Sequence, residues 1–209
     1  MLGGTDIEAA GPKRDRRTVR REATKAEILD AAWALVREQG LGALSLRDLA
    51  ARVGMRAPSL YQYFPSKHAI YDAMFAQGTR QALDAVGDPV ATSDVRAVLR
   101  DNARRMFEFT TGDPVRAQLL FQRPIPGFEP SPEAYAPAVE MHARVSALMA
   151  QLGITDPDAM DLWTALIAGL TDQQLANDPG GTRWARLVDR SVDMFIAHVA
   201  PNQPTAKKQ

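Results

Sequence analysis

Between Ser45 and Lys67 the chain reads SLRDLAARVGMRAPSLYQYFPSK, and this stretch gathers the side chains best equipped for polar recognition. Arg47 carries a planar guanidinium able to make a bidentate contact to a guanine edge or to clamp a phosphate; residue type alone does not choose between them. Arg56 has the same chemistry and stands between two apolar runs. Tyr61 and Tyr63 offer rigid rings ending in hydroxyls that suit phosphate oxygens, and Lys67 is a point charge at the start of an apolar-periodic segment. Ordinary alternatives stand beside these: Tyr61 as a core ring, Arg52 as solvated surface. Elsewhere reactive chemistry is thin. His68, His142 and His198 are the only histidines, far apart in sequence, and none belongs to an i, i+4 metal pair or a nucleophile elbow. The absence of cysteine excludes disulfides, thiolate metal sites and cysteine nucleophiles. The expectation is a protein that is no enzyme and carries no metal and no cofactor.

Those side chains need short helices to present them. Leu46, Leu49, Ala50 and Val53 recur at helical spacing, Ser45 can cap that helix, and Asp48 complements the positive end of its dipole. Gly54 permits the left-handed conformation that stops it. Pro58 suits the first turn of the next helix, whose Leu60 and Phe64 form an inward face. Ser66 can cap a third helix running through Ile70, Tyr71, Met74 and Phe75 towards Val86. Two short helices around a tight turn are how a helix-turn-helix offers its second helix to the major groove.

The pairs Leu49-Ala50, Val53-Gly54-Met55, Ser59-Leu60-Tyr61, Tyr63-Phe64 and Ser66-Lys67 resemble the DNA-binding signature of the TetR family of transcriptional regulators. Pro58 departs from the commonest pattern, where a small residue is usual, and His68 replaces a common acidic residue, so no operator sequence carries over. The resemblance implies that Arg47, Pro58, Ser59, Tyr61, Tyr63 and Lys67 face an operator, with Arg56 in the turn beside them. It also implies a ligand-responsive repressor acting as a homodimer on a near-palindromic site. A sequence-tolerant architectural DNA protein is the main alternative, and an all-helical enzyme a distant one.

Length and charge agree with a two-part chain. The 209 residues carry no net formal charge, yet residues 1 to 80 hold thirteen Lys and Arg against nine Asp and Glu, leaving +4 at the front and −4 behind. A basic front fits a nucleic-acid module. Residues 1–22 read as a disordered basic arm, with Lys13, Arg14, Arg16, Arg17, Arg20 and Arg21 either a solvated tail or able to reach phosphates. The Thr24 to Glu27 spacing reads as a capping box opening the first helix. Residues 23–70 form the helix-turn-helix domain, 71–200 a sensing and dimerisation domain, and 201–209 a disordered tail. The overall class is all-α, with about nine helices. No apolar run approaches the roughly 20 residues of a membrane span, which makes a cytoplasmic protein the default.

In the second domain, Tyr135, Val139, His142, Val145, Met149 and Leu152 mark one helix face. Trp163, Leu166, Ile167 and Leu170 mark the next helix, and Val188, Val192, Phe195 and Ile196 the last. By the TetR resemblance these last two helices dock on their copies as a four-helix interface, with Gly169 allowing close approach; the alternative is that both close the chain's own core. Asn102 and His142 fall among hydrophobes and need partners if buried. They suggest a small, largely apolar effector held near Asn102, Phe107, Phe121, His142, Met149 and Trp163; another side chain or water is the alternative partner for the two polar groups, and plain core the ordinary reading of each apolar one.

Overall fold

The computed structural model describes residues 16–88 and 94–200, and those residues form nine α-helices and no strand. They are α1 (Arg16–Gln39), α2 (Leu46–Arg52), α3 (Ala57–Leu60), α4 (Lys67–Val86), α5 (Val95–Gly112), α6 (Pro114–Phe121), α7 (Pro132–Gln151), α8 (Ala159–Asn177) and α9 (Val188–Val199). The all-α class is as expected. Residues 1–15 and 201–209, expected to be disordered, lie outside the described residues. None of the described helices is long and apolar enough to cross a membrane.

Sequence punctuation sets most of the boundaries. Asp94, Asp113 and Ser131 each accept the third following backbone N–H with a side-chain oxygen, capping α5, α6 and α7. Gly87 and Gly153 end α4 and α7 at φ 71 and 71. The first helix differs from its reading. Arg16 to Glu22 is helical, not a disordered arm, and Thr24 lies inside α1 with its hydroxyl donating to the Arg20 carbonyl at 3.1 Å. A threonine satisfied four residues back no longer competes for the amides that an N-cap would take, and the arginines upstream of it are good helix formers.

The chain has two apolar cores. The first is built on Ile28, Val36, Leu49, Leu60, Ile70, Tyr71 and Met74, and it continues without interruption into Leu119, Leu120 and Ala134. Helix α4, about 30 Å long, threads this core. Packing therefore runs through residue 70 from the helix-turn-helix into α6 and α7. Gly78 makes the α4–α6 contact close: a Cβ there would stand 3.0 Å from Leu120 Cδ2. The second core joins Leu99, Ala103 and Phe107 of α5 to Val145 and Met149 of α7, Trp163 and Ile167 of α8, and Val192 and Ile196 of α9.

The α7 face holds Val145, Met149 and Leu152 inward as expected, but its first turns differ. Tyr135, Val139 and His142 are exposed, and Ala134, Pro137, Val145, Leu148 and Met149 are the buried set. Small residues on the true face let α7 lie close along α4, where the Thr79 hydroxyl reaches the Ala134 carbonyl at 3.0 Å. Tyr135 stays half outside this contact, its ring stacked on that of Phe75 of α4 with centroids 6.1 Å apart.

Polar ties reinforce the apolar continuity. Trp33 Nε1 donates to Gln77 at 2.7 Å, Arg37 pairs with the α6 cap Asp113 at 2.7 Å, and Asp72 accepts both the backbone N–H and the hydroxyl of Ser131. Tyr71 is wholly buried, donates to the Leu41 carbonyl at 2.5 Å, and has its phenol pushed up to about 12 by burial. The folded state thus holds this proton more tightly than the unfolded chain. The contribution is complete below about pH 10 and is lost as pH rises through about 12, by at most roughly 3 kcal/mol. Comparing urea midpoints at about pH 9 and about pH 11, Tyr71→Phe should show a smaller alkaline loss than the parent chain.

Candidate nucleic-acid interface

Helix α2 starts at Ser45, whose hydroxyl accepts the Asp48 amide at 3.4 Å, and stops at Gly54, where φ is 68. Arg56 is the N-cap of α3, in extended conformation, and Pro58 occupies its first turn. Formal helix ends at Leu60, but the carbonyls of Ser59 and Leu60 accept the amides of Gln62, Tyr63 and Phe64, so helical turns carry the element to Phe64. Leu60 and Phe64 are buried, and Ser66 caps α4 by accepting the Ala69 amide at 3.0 Å. Each local device read from the sequence is in place around this turn.

The seven residues expected to meet DNA lie on α2, α3 and the first turn of α4. Arg47, Arg56, Pro58 and Tyr61 are exposed, Tyr61 at 52 %, which removes it from the core. Ser59, Tyr63 and Lys67 are half-buried. The Lys67 ammonium is partly engaged: it donates to the Gly42 carbonyl at 3.3 Å and lies 5.6 Å from the Tyr71 ring centre. An ammonium has three donors, so this tie orients the group and leaves hydrogens for a phosphate. Arg52 is turned to Glu38 in a two-pronged bond at 2.8 and 2.7 Å, which holds the Glu38 carboxyl below its usual range. It is exposed paired surface.

One contact escaped the sequence reading. The Arg21 guanidinium donates to the Gln62 carbonyl at 2.5 Å and lies 5.2 Å from the centre of the Tyr63 ring. Its signal was the register of α1: Arg21 is seven residues before Ile28, so the buried face extended back by two turns leads to it.

The residues expected to hold an effector do not converge. Phe107, Met149 and Trp163 are buried in the second core, Asn102 is half-buried, and Phe121 and His142 are exposed. His142 and Met149 alone among them share a cleft, of about 260 Å³, with Ser146, Ile154, Asp156 and Met160. The buried polar side chains of the described residues are instead Thr79, Thr110, Thr171 and Gln174. All four are satisfied: Thr110 and Thr171 bond each other at 3.0 Å, and the Gln174 side chain accepts the Trp184 and Ala185 amides and donates to the Asp178 and Gly181 carbonyls. The signal that could have found Thr110 is its spacing, seven residues after Ala103 and three after Phe107 on one helix face.

The expected dimer residues also need correction. Trp163, Ile167, Leu170, Val188, Val192, Phe195 and Ile196 are buried within the single chain, and Leu166 is half-buried. Both α8 and α9 turn their strongest apolar faces onto α5, since that helix offers Leu99, Ala103 and Phe107. Ion pairs Arg100–Asp193 and Arg104–Asp189, at 2.6 and 2.9 Å, flank the α5–α9 contact.

A helix-turn-helix joined through one 20-residue helix to an all-helical second core defines a two-part, all-α helix-turn-helix protein. Residues 28–74 match the family model described as bacterial regulatory proteins, tetR family. The match is confined to the helix-turn-helix module and the start of the helix that follows it. It is 30% identical over 135 residues to the HTH-type transcriptional repressor DrrR1 of Streptomyces coeruleorubidus, covering 65% of this chain and 46% of that protein. It is 31% identical over 126 residues to the HTH-type transcriptional activator FasR of Mycolicibacterium smegmatis, covering 57% and 54%. The chain spans about half the length of these two relatives. The tetracycline repressor protein class D of Escherichia coli is 27% identical over 172 residues, covering 74% and 72%. In fold, the chain is similar to the TetR family transcriptional regulator PfmR of Thermus thermophilus, with a TM-score of 0.62, 18% identity, and 80% and 96% of the two chains covered. A TetR variant of Acinetobacter baumannii in complex with minocycline gives 0.62, 19%, 87% and 98%.

Proposed function

We propose that this protein is a DNA-binding transcriptional regulator, a repressor whose homodimer binds a near-palindromic operator and whose second core responds to a small-molecule effector. The observation that carries the reading is the helix-turn-helix itself. A left-handed stop at Gly54 and a proline-started α3 leave Arg47, Arg56, Pro58 and Tyr61 exposed on one module. Repression is the assignment that the names of the DrrR1 and tetracycline-repressor relatives favour. An architectural role is less well supported, because the formal net charge is zero and the basic residues gather at the front.

Dimerisation is assigned to the outer faces of α8 and α9. Leu162 and Met194 are 46 % and 63 % exposed, with Ala165, Ala168, Gly169 and Ala197 exposed beside them. A Cβ at Gly169 would meet nothing within 4 Å, so the monomer itself does not require glycine there. Two-fold symmetry then places two α3 elements on half-sites about one helical turn, or a multiple of it, apart. The effector is assigned to the cleft beside His142 and Met149, where a ligand is expected to raise the melting temperature and to weaken operator binding. Ligands that do the first without the second remove the switch.

Selection from a random duplex pool, followed by footprinting, tests the reading: a near-palindromic footprint supports it, and equal affinity for selected and random duplexes overturns it. On the selected site, Arg47→Ala has two informative outcomes. A phosphate role lowers the salt slope by about one on both duplexes; a base role costs about 1–3 kcal/mol and relaxes preference at one position.

A further inference from the structure

Helix α1 begins well before the segment that enters the first core, and its opening turns are basic. Arg16, Arg17, Arg20 and Arg21 are all exposed. At about 100° per residue these four positions, with Thr24 among them, fall within one arc of about 140° on the helix surface. Glu22, the one acid among residues 16–25, lies outside that arc and pairs with Lys25 at 3.3 Å. The arc is therefore a cationic strip of fixed shape.

Its direction is fixed as well. Arg21, at the inner edge of the arc, donates to the Gln62 carbonyl and covers the Tyr63 ring, and both partners belong to the turns that finish α3. A helix held at that point cannot rotate its opening turns independently of α3. Arg16 and Arg20, one turn apart, lie on the same strip as Arg21, within one and a half turns of it. Because these turns are already helical, little further backbone ordering is required when a polyanion arrives.

We propose that the opening turns of α1 are a built part of the DNA interface. Arg16 and Arg20 bind backbone phosphates beside the bases that α3 reads, and Arg21 is a positioning residue that fixes the end of α3 through Gln62 and Tyr63. The inference rests on the DNA-binding reading above and adds a second, helical element to that interface. It also divides the arginines by role: two supply affinity without sequence choice, and one supplies the pose on which sequence choice depends.

The test uses the full chain, a duplex selected from a random pool by the parent protein, and a random duplex of equal length, titrated by fluorescence anisotropy over a range of salt. Arg16→Ala combined with Arg20→Ala should lower the slope of log affinity against log salt by about two on both duplexes, because each phosphate contact contributes about 0.9. The ratio of affinities for selected and random duplexes should stay within about twofold of the parent. Arg21→Lys keeps the charge and loses the planar stack and forked donors; it should leave the salt slope unchanged and reduce that ratio by about tenfold. All three positions are exposed, so melting temperatures should stay close to the parent and separate these effects from unfolding. Unchanged slopes in the double variant overturn the phosphate role, and an unchanged ratio for Arg21→Lys overturns the positioning role. A parent protein that fails to distinguish any selected duplex from random DNA removes the DNA-binding reading itself, a result distinct from either.

Discussion

Trp163→Ala is expected to lower the stability of the folded chain by about 3–5 kcal/mol and its melting temperature by about 10 °C. The indole is 5 % exposed and meets the Phe195 ring edge-on, with centroids 5.5 Å apart. It fills the second core between α8 and α9, beside Ile167 and Val192. Truncation removes the largest side chain of that contact and leaves a cavity that helices tied by Gln174 and the Arg100–Asp193 pair cannot readily close. Urea unfolding at several protein concentrations separates a core role from an interface role for this residue. A core role gives a loss that persists at every concentration. If the loss vanishes at high protein concentration and appears only as dissociation, Trp163 belongs to an interface between copies.

That distinction shows what the sequence could and could not reveal. Around Ser45 to Phe64 the rules are local: a hydroxyl three residues before an amide, a glycine where φ must be positive, a proline where no amide partner exists. Local rules were readable, and the turn, its caps and the buried Leu60 and Phe64 follow them. The period of an apolar face was readable too, so that α8 and α9 appear with the right residues inward. What those faces meet was not. Trp163, Val192 and Phe195 are equally apolar whether they cover α5 of their own chain or a helix of another, and only the three-dimensional path decides. The first turns of α7 were misread for a related reason: Tyr135 and Val139 look like core by size, yet Ala134 and Pro137 are the buried residues there, while Val145, Met149 and Leu152 face inward as expected. The start of α1 failed because a capping-box spacing at Thr24 is equally consistent with a threonine inside a continuing helix.

Continuity of the first core bears on how the two halves communicate. The helix-turn-helix is tied to the second part of the chain by the apolar run from Ile70 to Leu120 and by the Trp33–Gln77, Arg37–Asp113 and Asp72–Ser131 contacts. Arg116 adds to the same region, stacked 3.8 Å from the Phe109 ring centre, with burial lowering the pKa of its guanidinium. A module held at so many points does not swing on a loose hinge. Any change in its pose requires α4 to shift with α6 and α7, and a ligand's leverage equals its differential affinity for those two arrangements.

The second large effect concerns the surface that α8 and α9 leave outside. Leu162→Glu combined with Met194→Glu should convert the proposed homodimer to a monomer and reduce operator affinity at least about 100-fold, because each subunit then binds one half-site without the effective concentration supplied by its partner. Both side chains point away from the chain's own core, so the melting temperature of the monomeric variant reports the subunit alone and should show no cavity-type loss. Two glutamates from each subunit would bring four carboxylates into one symmetric interface, where desolvation and like-charge repulsion act together. Analytical ultracentrifugation reads the first effect and anisotropy on the selected duplex the second. A chain carrying Leu162→Lys and Met194→Lys should also be monomeric alone, and mixing it with the glutamate chain should restore a mixed dimer and its operator affinity. The competing face is on α7, where Tyr135 and Val139 are 49 % and 56 % exposed. If Val139→Glu produces monomers and the α8–α9 glutamates do not, the interface belongs to α7; the inward turn of Trp163, Val192 and Phe195 would then be matched by a solvent-facing outer side on both C-terminal helices.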